Sequence, residues 1–473
     1  MSEHTTNTHL SKNSSPFGMP RSLQEWWASV YFIGIGGIGM SALARYFKET
    51  GMEVAGYDKT KTEITDTLEN LGIPVHFKDD VSVIDSQFLT PLKTLIVFTP
   101  AIPENHVQLN HFREHGFQVK KRSEVLGEIT EKTFCLAVAG THGKTTTTSI
   151  LGHLLSEANV EVTAFLGGIS ENYYSNLILN GTKVTVVEAD EFDRSFLTLS
   201  PDYACITSMD ADHLDIYGDA SELQESFQQF AKKVKPNGKL FVYNGLPLDG
   251  ITYGIEDDAD YAATNIKIKN GSYVFDVKTS KGLLKDFKFN LPGRHNLANA
   301  LAALAMSLEY GIAYNKVVSA LASYKGVKRR FSYQIKTGNL VYIDDYAHHP
   351  AEIDAVHKAV REMYPNERVL AVFQPHLFSR TKDFGDEFAK SLSQFDEVAL
   401  LEIYPARELP IEGINSKWLF DKIENKSKSL IEKKDIIPTI ENSGARVIMT
   451  LGAGDIGEEV KHIKKALRLA NQL

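Results

Sequence analysis

Cysteine is nearly absent. Among 473 residues there are two, Cys135 and Cys205, both inside apolar runs, so no disulfide framework holds this fold together. Long apolar stretches are missing too, which excludes a membrane-spanning reading. There is no surplus of positive charge: 51 Lys and Arg stand against 60 Asp and Glu, a net charge of −9. With no basic stripe either, a nucleic-acid partner is excluded. Residues 1–20 lack the apolar core of a signal peptide. They are polar and rich in Ser, Thr and Asn, so a mobile tail and a cytoplasmic protein are expected. No short-period repeat occurs.

What is present is an alternation of apolar runs with helix-length segments. Val30–Ile35, Thr94–Phe98, Phe134–Ala139, Val184–Val187, Tyr203–Thr207, Val341–Ile343 and Val369–Phe373 read as strands buried on both faces of mostly parallel sheets. The class is α/β. Ligand-loop signatures recur far apart along the chain, and one domain is assigned to each: 21–130, 131–331 and 332–473. Asn270–Gly271 marks a hairpin, so a small β insertion is expected within the middle domain.

The most informative stretch follows Phe134–Ala139. Gly140, Thr141, His142, Gly143, Lys144, Thr145 and Thr146 form a glycine turn, a lysine and a run of hydroxyls opening a helix. Backbone N–H groups and the helix dipole favour a polyphosphate there. Lys144 can reach its terminal phosphates and Thr145 can hold a divalent cation. The turn is shorter than the common P-loop, whose first glycine would fall at Val138.

Gly34, Gly36, Gly37 and Gly39 give G-x-G-x-x-G between a strand and a helix, and Asp58 ends the next strand. The spacing assigns Gly34 to the turn, Gly36 to close approach of a diphosphate, Gly39 to helix-on-strand packing and Asp58 to a ribose hydroxyl. It does not distinguish a nicotinamide cofactor from another nucleotide diphosphate. Glu188, Asp190, Glu191 and Asp193 crowd one strand end, and Asp210, Asp212, His213 and Asp215 another. Each is either a solvated acidic loop or, with Glu188 and His213 as oxygen and imidazole ligands, a seat for Mg²⁺ or Mn²⁺.

Asn296 and Asn299 share one face of an Ala/Leu-rich helix, as caps or as ligand contacts. Arg330, beside Arg329, is a surface cation or a phosphate contact. Asp345 and His348 lie in a polar loop ahead of Pro350, and His376 and Arg380 follow another strand. Arg380 is either an anchor for a substrate carboxylate or an ordinary surface arginine.

In order and spacing these motifs resemble the Mur ligase family over nearly the whole chain, from Val30 onward. The resemblance implies a Rossmann-like N-terminal domain for a UDP sugar, a central P-loop-type ATPase domain and a C-terminal Rossmann-like domain closing over both. It implies ATP-dependent joining of L-alanine to the lactyl carboxylate of UDP-N-acetylmuramate through an acyl phosphate, by a monomer or weak homodimer in the cytoplasm. Carried over, Lys144, Glu188, His213 and Arg330 are catalytic. Thr145, Glu188 and His213 hold the metal. Asn296, Asn299, Arg330 and Asp345 contact ATP, and His348, His376 and Arg380 face the substrate. Sister ligases carry a modified lysine soon after the metal histidine. None lies between His213 and Gln229 here, as is usual for the alanine-adding member. Leu377 departs from the arginine common at its position. Two alternatives are a recycling family member that adds a preformed peptide to the same sugar and, from another class, a nicotinamide-dependent dehydrogenase. The second leaves the Lys144 loop and both acidic clusters unexplained.

Overall fold

Runs of Val, Ile, Leu and Phe have no polar face to offer solvent, so they bury both faces in parallel sheets flanked by helices. The computed structural model, which describes residues 27–210, 220–269, 271–406 and 408–470, contains three such sheets. The chain divides into two units. One comprises the residues up to Gly254, Asp258–Tyr261 and Leu301–Ala320. The other comprises Ile255–Asp257, Ala262–Ala300 and the residues from Leu321 onward.

The first unit holds two sheets. Five parallel strands run in the spatial order Val75–His76, Glu53–Tyr57, Ser29–Ile33, Thr94–Phe98, Gln118–Lys121. The strand order reverses between Ser29–Ile33 and Thr94–Phe98, the place where open parallel sheets bind ligands. In the second sheet Phe134–Ala139 lies between Tyr203–Ile206 and Val184–Glu188, both parallel to it. Beyond Val184–Glu188 comes Val162–Ser170, which pairs antiparallel with Ser175–Leu179. Cys135 and Cys205 lie in neighbouring central strands, fully buried, and burial pushes both thiols far above their ordinary range, Cys205 to about 12.

In the second unit Val341–Asp345, Val447–Leu451 and Val369–Phe373 are adjacent and parallel, with Ser332–Lys336 antiparallel on the outer side of Val341–Asp345. The strand expected to end at Ile343 continues through Asp345. Asp344 and Asp345 pair in the ladder with Thr450 and Leu451, and the buried Asp344 carboxylate also accepts from Thr450 Oγ1 at 2.8 Å. Tyr261–Lys269, Ser272–Thr279 and Gly282–Phe289 form an antiparallel meander. Its first turn contains Gly271 at φ 70°, and Asn270 lies outside the described residues.

Candidate active site

Three neighbouring strands of the second sheet deliver their carboxyl ends to one place. Phe134–Ala139 gives way to the Gly140 turn, which leads into the helix Lys144–Glu157. Gly140 (φ 133°) and Gly143 (φ 83°) both occupy left-handed backbone, where a side chain is strained. A Cβ on Gly140 would also overlap Thr207 Oγ1 and come within 2.8 Å of Ser208 N. Gly143, the helix N-cap, supplies no side-chain acceptor, so the helix amides are not capped by their own N-cap and face the loop.

Lys144 Nζ is pinned there. It donates to Gly140 O at 2.7 Å and to Glu191 Oε1 at 2.7 Å, with Glu191 fully buried. Thr145 Oγ1 donates to both oxygens of Glu188, at 2.9 and 3.1 Å. Thr141 and His142 are tied to the third strand end: Ser208 Oγ accepts from His142 N at 2.8 Å and lies 2.9 Å from Thr141 Oγ1. Thr146 is buried behind the loop. Thr207 and Ser208 brace this loop, although no motif in the sequence marks them.

The hydroxyl of Thr145 and the carboxylate of Glu188 are hard oxygen donors already facing each other, which suits Mg²⁺. Among the described residues no group of three or more His, Cys, Asp and Glu is arranged around a metal position. His213, the expected third ligand, lies outside the described residues, as do Asp212 and Asp215.

The glycine loop after Ser29–Ile33 differs in detail from the sequence expectation. Gly34, at φ 88°, makes the turn. Asp58 Oδ2 accepts from Gly36 N at 2.7 Å and Oδ1 accepts from Thr60 N at 3.1 Å, so this carboxylate braces the loop from beneath. Gly39 was expected to pack helix on strand. Instead a Cβ there would meet the Arg122 guanidinium at 2.9 Å, because Arg122, which opens the helix Arg122–Glu131, lies across it. Gly37 is the N-cap of the helix Ile38–Glu49 and gives it no side-chain cap.

In the second unit, Asp345 Oδ2 accepts from Phe331 N at 2.6 Å and Oδ1 from Ala347 N at 2.7 Å. Burial pushes its carboxyl up to about 6, against the pull of the Arg330 guanidinium and the two amides. Arg330 lies 3.8 Å from Glu352 and over the Tyr346 ring. Arg329, in left-handed backbone, donates to Asp344 Oδ2 at 3.1 Å and to Gly452 O, and so ties two strand ends together. Asn296 and Asn299 are both buried at the start of the helix Arg294–Tyr310, and Asn296 Nδ2 bonds back to Pro292 O at 2.7 Å.

His348 turns toward His376, with ring centroids 6.0 Å apart, whereas His349 caps the helix Pro350–Met363 and packs on Phe384. His376 stacks on Tyr404. Burial, then His348 and Arg380, hold its imidazole down to about 4. Leu377 sits at φ 71° and ψ 137°, a conformation costly for a branched side chain, at the N-cap of Phe378–Asp383, the helix that carries Arg380.

One loop lies outside the sequence expectations. Gly452, Gly454 and Gly457 repeat G-x-G-x-x-G between Val447–Leu451 and the helix Ile456–Ala470. Here Gln374 Oε1 accepts from Ile456 N at 2.9 Å and closes the helix start.

The burial of Asp345 has a consequence that titration can read. A carboxyl held near 6 when folded and near its ordinary value when unfolded contributes stability that is present at low pH and lost as pH rises through about 6. Between about pH 4 and pH 7 the parent should therefore lose about 2 kcal/mol relative to Asp345→Asn. Thermal unfolding of the pair across that range checks it. A stability gap independent of pH would show that the carboxyl titrates normally.

Three family models match: the Mur ligase family, catalytic domain, at residues 29–133; the Mur ligase middle domain at 138–307; and the Mur ligase, glutamate ligase domain at 329–457. The UDP-N-acetylmuramate–L-alanine ligase of Flavobacterium psychrophilum is 64% identical over 93% of this chain and 98% of its own length. That of Christiangramia forsetii is 63% identical over 92% and 97%. Among solved structures, a UDP-N-acetylmuramate–alanine ligase from Thermotoga maritima superimposes with a TM-score of 0.79 at 28% identity, covering 93% of this chain and 99% of that one. A murein peptide ligase from Psychrobacter arcticus shares the fold, with a TM-score of 0.64 at 21% identity over 93% and 98%. This chain belongs to the Mur ligase family.

Proposed function

We propose that this chain is an ATP-dependent ligase that joins L-alanine to the lactyl carboxylate of UDP-N-acetylmuramate, a step in making peptidoglycan precursors. One observation carries the ATP-dependent part. The Lys144 loop, Thr145 with Glu188, and the Thr207–Ser208 brace converge at the carboxyl ends of three adjacent parallel strands. The choice of sugar and amino acid is supported by relatives of that name at 63–64% identity over nearly the full chain. The recycling alternative finds less support, since a solved recycling ligase is 27% identical over 64% of this chain, against 63–64% for the L-alanine ligases over 92–93% of it. A dehydrogenase has no use for the pinned lysine.

A carboxylate does not acylate an amine in water, because oxide would have to leave. In the proposed reaction a lactyl carboxylate oxygen attacks the γ-phosphorus of ATP, the bond to ADP breaks, and an acyl phosphate forms. The alanine amine then adds to the carbonyl, the amine proton is lost, and inorganic phosphate departs. Phosphoryl transfer of this kind is mostly positioning and charge neutralisation. Lys144, held by a carbonyl and a buried carboxylate, presents its ammonium at the loop, and the amides after Gly143, which have no side-chain cap, are assigned to the phosphates. Mg²⁺ or Mn²⁺, when bound, neutralises phosphate charge, and Thr145, Glu188 and His213 are its proposed ligands. Asn296, Asn299, Arg330 and Asp345 are assigned to ATP, and Gly34, Gly36, Gly37 and Gly39 to the UDP sugar, with Asp58 beneath them. Arg380 is assigned to the alanine carboxylate. His348 and His376 are held toward the neutral form and add no second cation beside it.

The proposed domains are 21–130, 131–331 and 332–473. Among the described residues no helix is long and apolar enough to cross a membrane. The cytoplasm, where ATP and UDP sugars are made, is the proposed compartment. The test is phosphate release with UDP-N-acetylmuramate, ATP and Mg²⁺ across a panel of amino acids and the tripeptide. Release should require the sugar and be fastest with L-alanine. Preference for the tripeptide, or ATP turnover without sugar, would overturn the reading.

A further inference from the structure

The hairpin Val162–Ser170 and Ser175–Leu179 touches three elements that carry the chemistry of the first unit. Strand alternation points successive side chains to opposite faces. On one face Phe165 meets Tyr46 of the helix Ile38–Glu49 edge-on, with centroids 5.4 Å apart. On the other, Ala164 and Ile178 close on Gly152 of the helix Lys144–Glu157, where a Cβ would come within 2.7 Å of Ala164 Cβ. Further along the same strand, Gly167 lies against the Glu188 carboxylate. A Cβ there would overlap Glu188 Oε2 and stand 2.8 Å from its Cδ. One short hairpin is thus in contact with the helix behind the Gly34–Gly39 loop, the helix behind Lys144, and the Glu188 carboxylate.

The polar fastening is specific. Asn176 is 1% exposed. Its Nδ2 donates to Ile38 O at 2.6 Å and to Ser41 Oγ at 2.8 Å, and Ser41 Oγ donates to Ile38 O at 3.0 Å. Ile38 is the first residue of its helix and directly follows Gly37, so the bond is made at the base of the glycine loop. Next to Asn176, Ser175 Oγ accepts from Arg45 Nη1 at 2.9 Å on the same helix. A buried amide spanning 138 residues of sequence is a costly group to keep unless its bonds fix a position.

We propose that Asn176 is a positioning residue. It locks the glycine loop to the hairpin that seats Glu188, and so sets the sugar's carboxylate at the right distance from the γ-phosphoryl group. This rests on the reading above that the glycine loop holds the UDP sugar and the Lys144 loop holds ATP. Asn176 is buried and its amide nitrogen is engaged by Ile38 O and Ser41 Oγ, so each ligand should still bind alone. What should fail is their alignment, and a displacement of about 1 Å can cost on the order of a hundredfold in rate.

The experiment measures three quantities in Asn176→Ala, Ser41→Ala and the double variant: UDP-N-acetylmuramate affinity without nucleotide, ADP affinity without sugar, and kcat at saturation. For Asn176→Ala both affinities should stay within about threefold while kcat falls about 10- to 100-fold. Ser41→Ala, which keeps the bond to Ile38 O, should fall about three- to tenfold. The double variant should be no worse than Asn176→Ala, because the two residues act through one contact. A kcat within about twofold of the parent despite a lowered melting temperature would make Asn176 merely structural and overturn the proposal. So would a loss carried by sugar affinity. If Asn176→Ala does not fold, Ser41→Ala decides alone by the same criteria. Failure of the underlying reading looks different: the parent itself would release no phosphate with sugar, ATP and L-alanine.

Discussion

Lys144→Ala should lower turnover about a thousandfold or more while leaving UDP-N-acetylmuramate affinity within a few fold. The size follows from what the side chain does. Its ammonium stands at the loop where terminal phosphate charge must be neutralised, held by Gly140 O and Glu191 and unable to drift. Gly140–Thr146 contains no other lysine or arginine to replace it. The same change carries a cost to folding, because Glu191 is fully buried and loses its ion-pair partner. Removing one member of such a pair typically costs about 3 kcal/mol or more. The two effects separate in Lys144→Ala/Glu191→Gln, which should regain most of the lost melting temperature and none of the lost activity. A Lys144→Ala protein keeping more than about a tenth of parental turnover would remove this lysine from the chemistry.

The second large effect is expected at a residue with no functional group. Gly167→Ala places a methyl where Glu188 Oε2 now lies, and the carboxylate must give way. Because it is the end of a flexible side chain, the fold should survive with a melting temperature a few degrees lower. The Thr145–Glu188 pair should not. Turnover is expected to fall about a hundredfold, with part of it recovered at raised Mg²⁺, and direct Mn²⁺ binding in the presence of ADP should weaken in step. Unchanged Mn²⁺ affinity would show that Glu188 has room to adjust. Gly140 contrasts with this. There a methyl would meet backbone nitrogens of Thr207 and Ser208 as well as a strained φ, so the fold itself is at risk.

Much of this was legible in the sequence where chemistry is local. The Lys144 loop, its glycines and the hydroxyls after it lie within a few residues, and the apolar run before them can only be a buried strand. Glu188 was legible as a carboxylate at a strand end. The contacts that cross the chain were not. Thr207 and Ser208 brace the loop from 65 or more residues away because Tyr203–Ile206 happens to be the neighbouring strand, and no spacing rule reveals strand order. Asn176 meets Ile38 across 138 residues. Asp58 stood where expected, yet its oxygens are taken by Gly36 and Thr60 amides, a detail set by the loop's own curvature. The glycine spacing at 452–457 matches that at 34–39. What separates the two loops is a side chain from elsewhere, since Gln374 occupies the helix start in one, whereas Gly37 gives no side-chain cap in the other.

The two buried thiols bear on how this enzyme can be watched. Cys135 and Cys205 are sealed in the central sheet, and burial holds them as thiols well beyond the pH of any labelling reaction. For maleimide chemistry the folded protein is thus already a cysteine-free background. A single cysteine added on the exposed surface of each unit, at Tyr174 and at Leu409 for instance, would be the reactive pair. Energy transfer between dyes at those two positions, followed as sugar, nucleotide and alanine are added in turn, would test whether the distance between the two units changes, without removing any native residue from the interior.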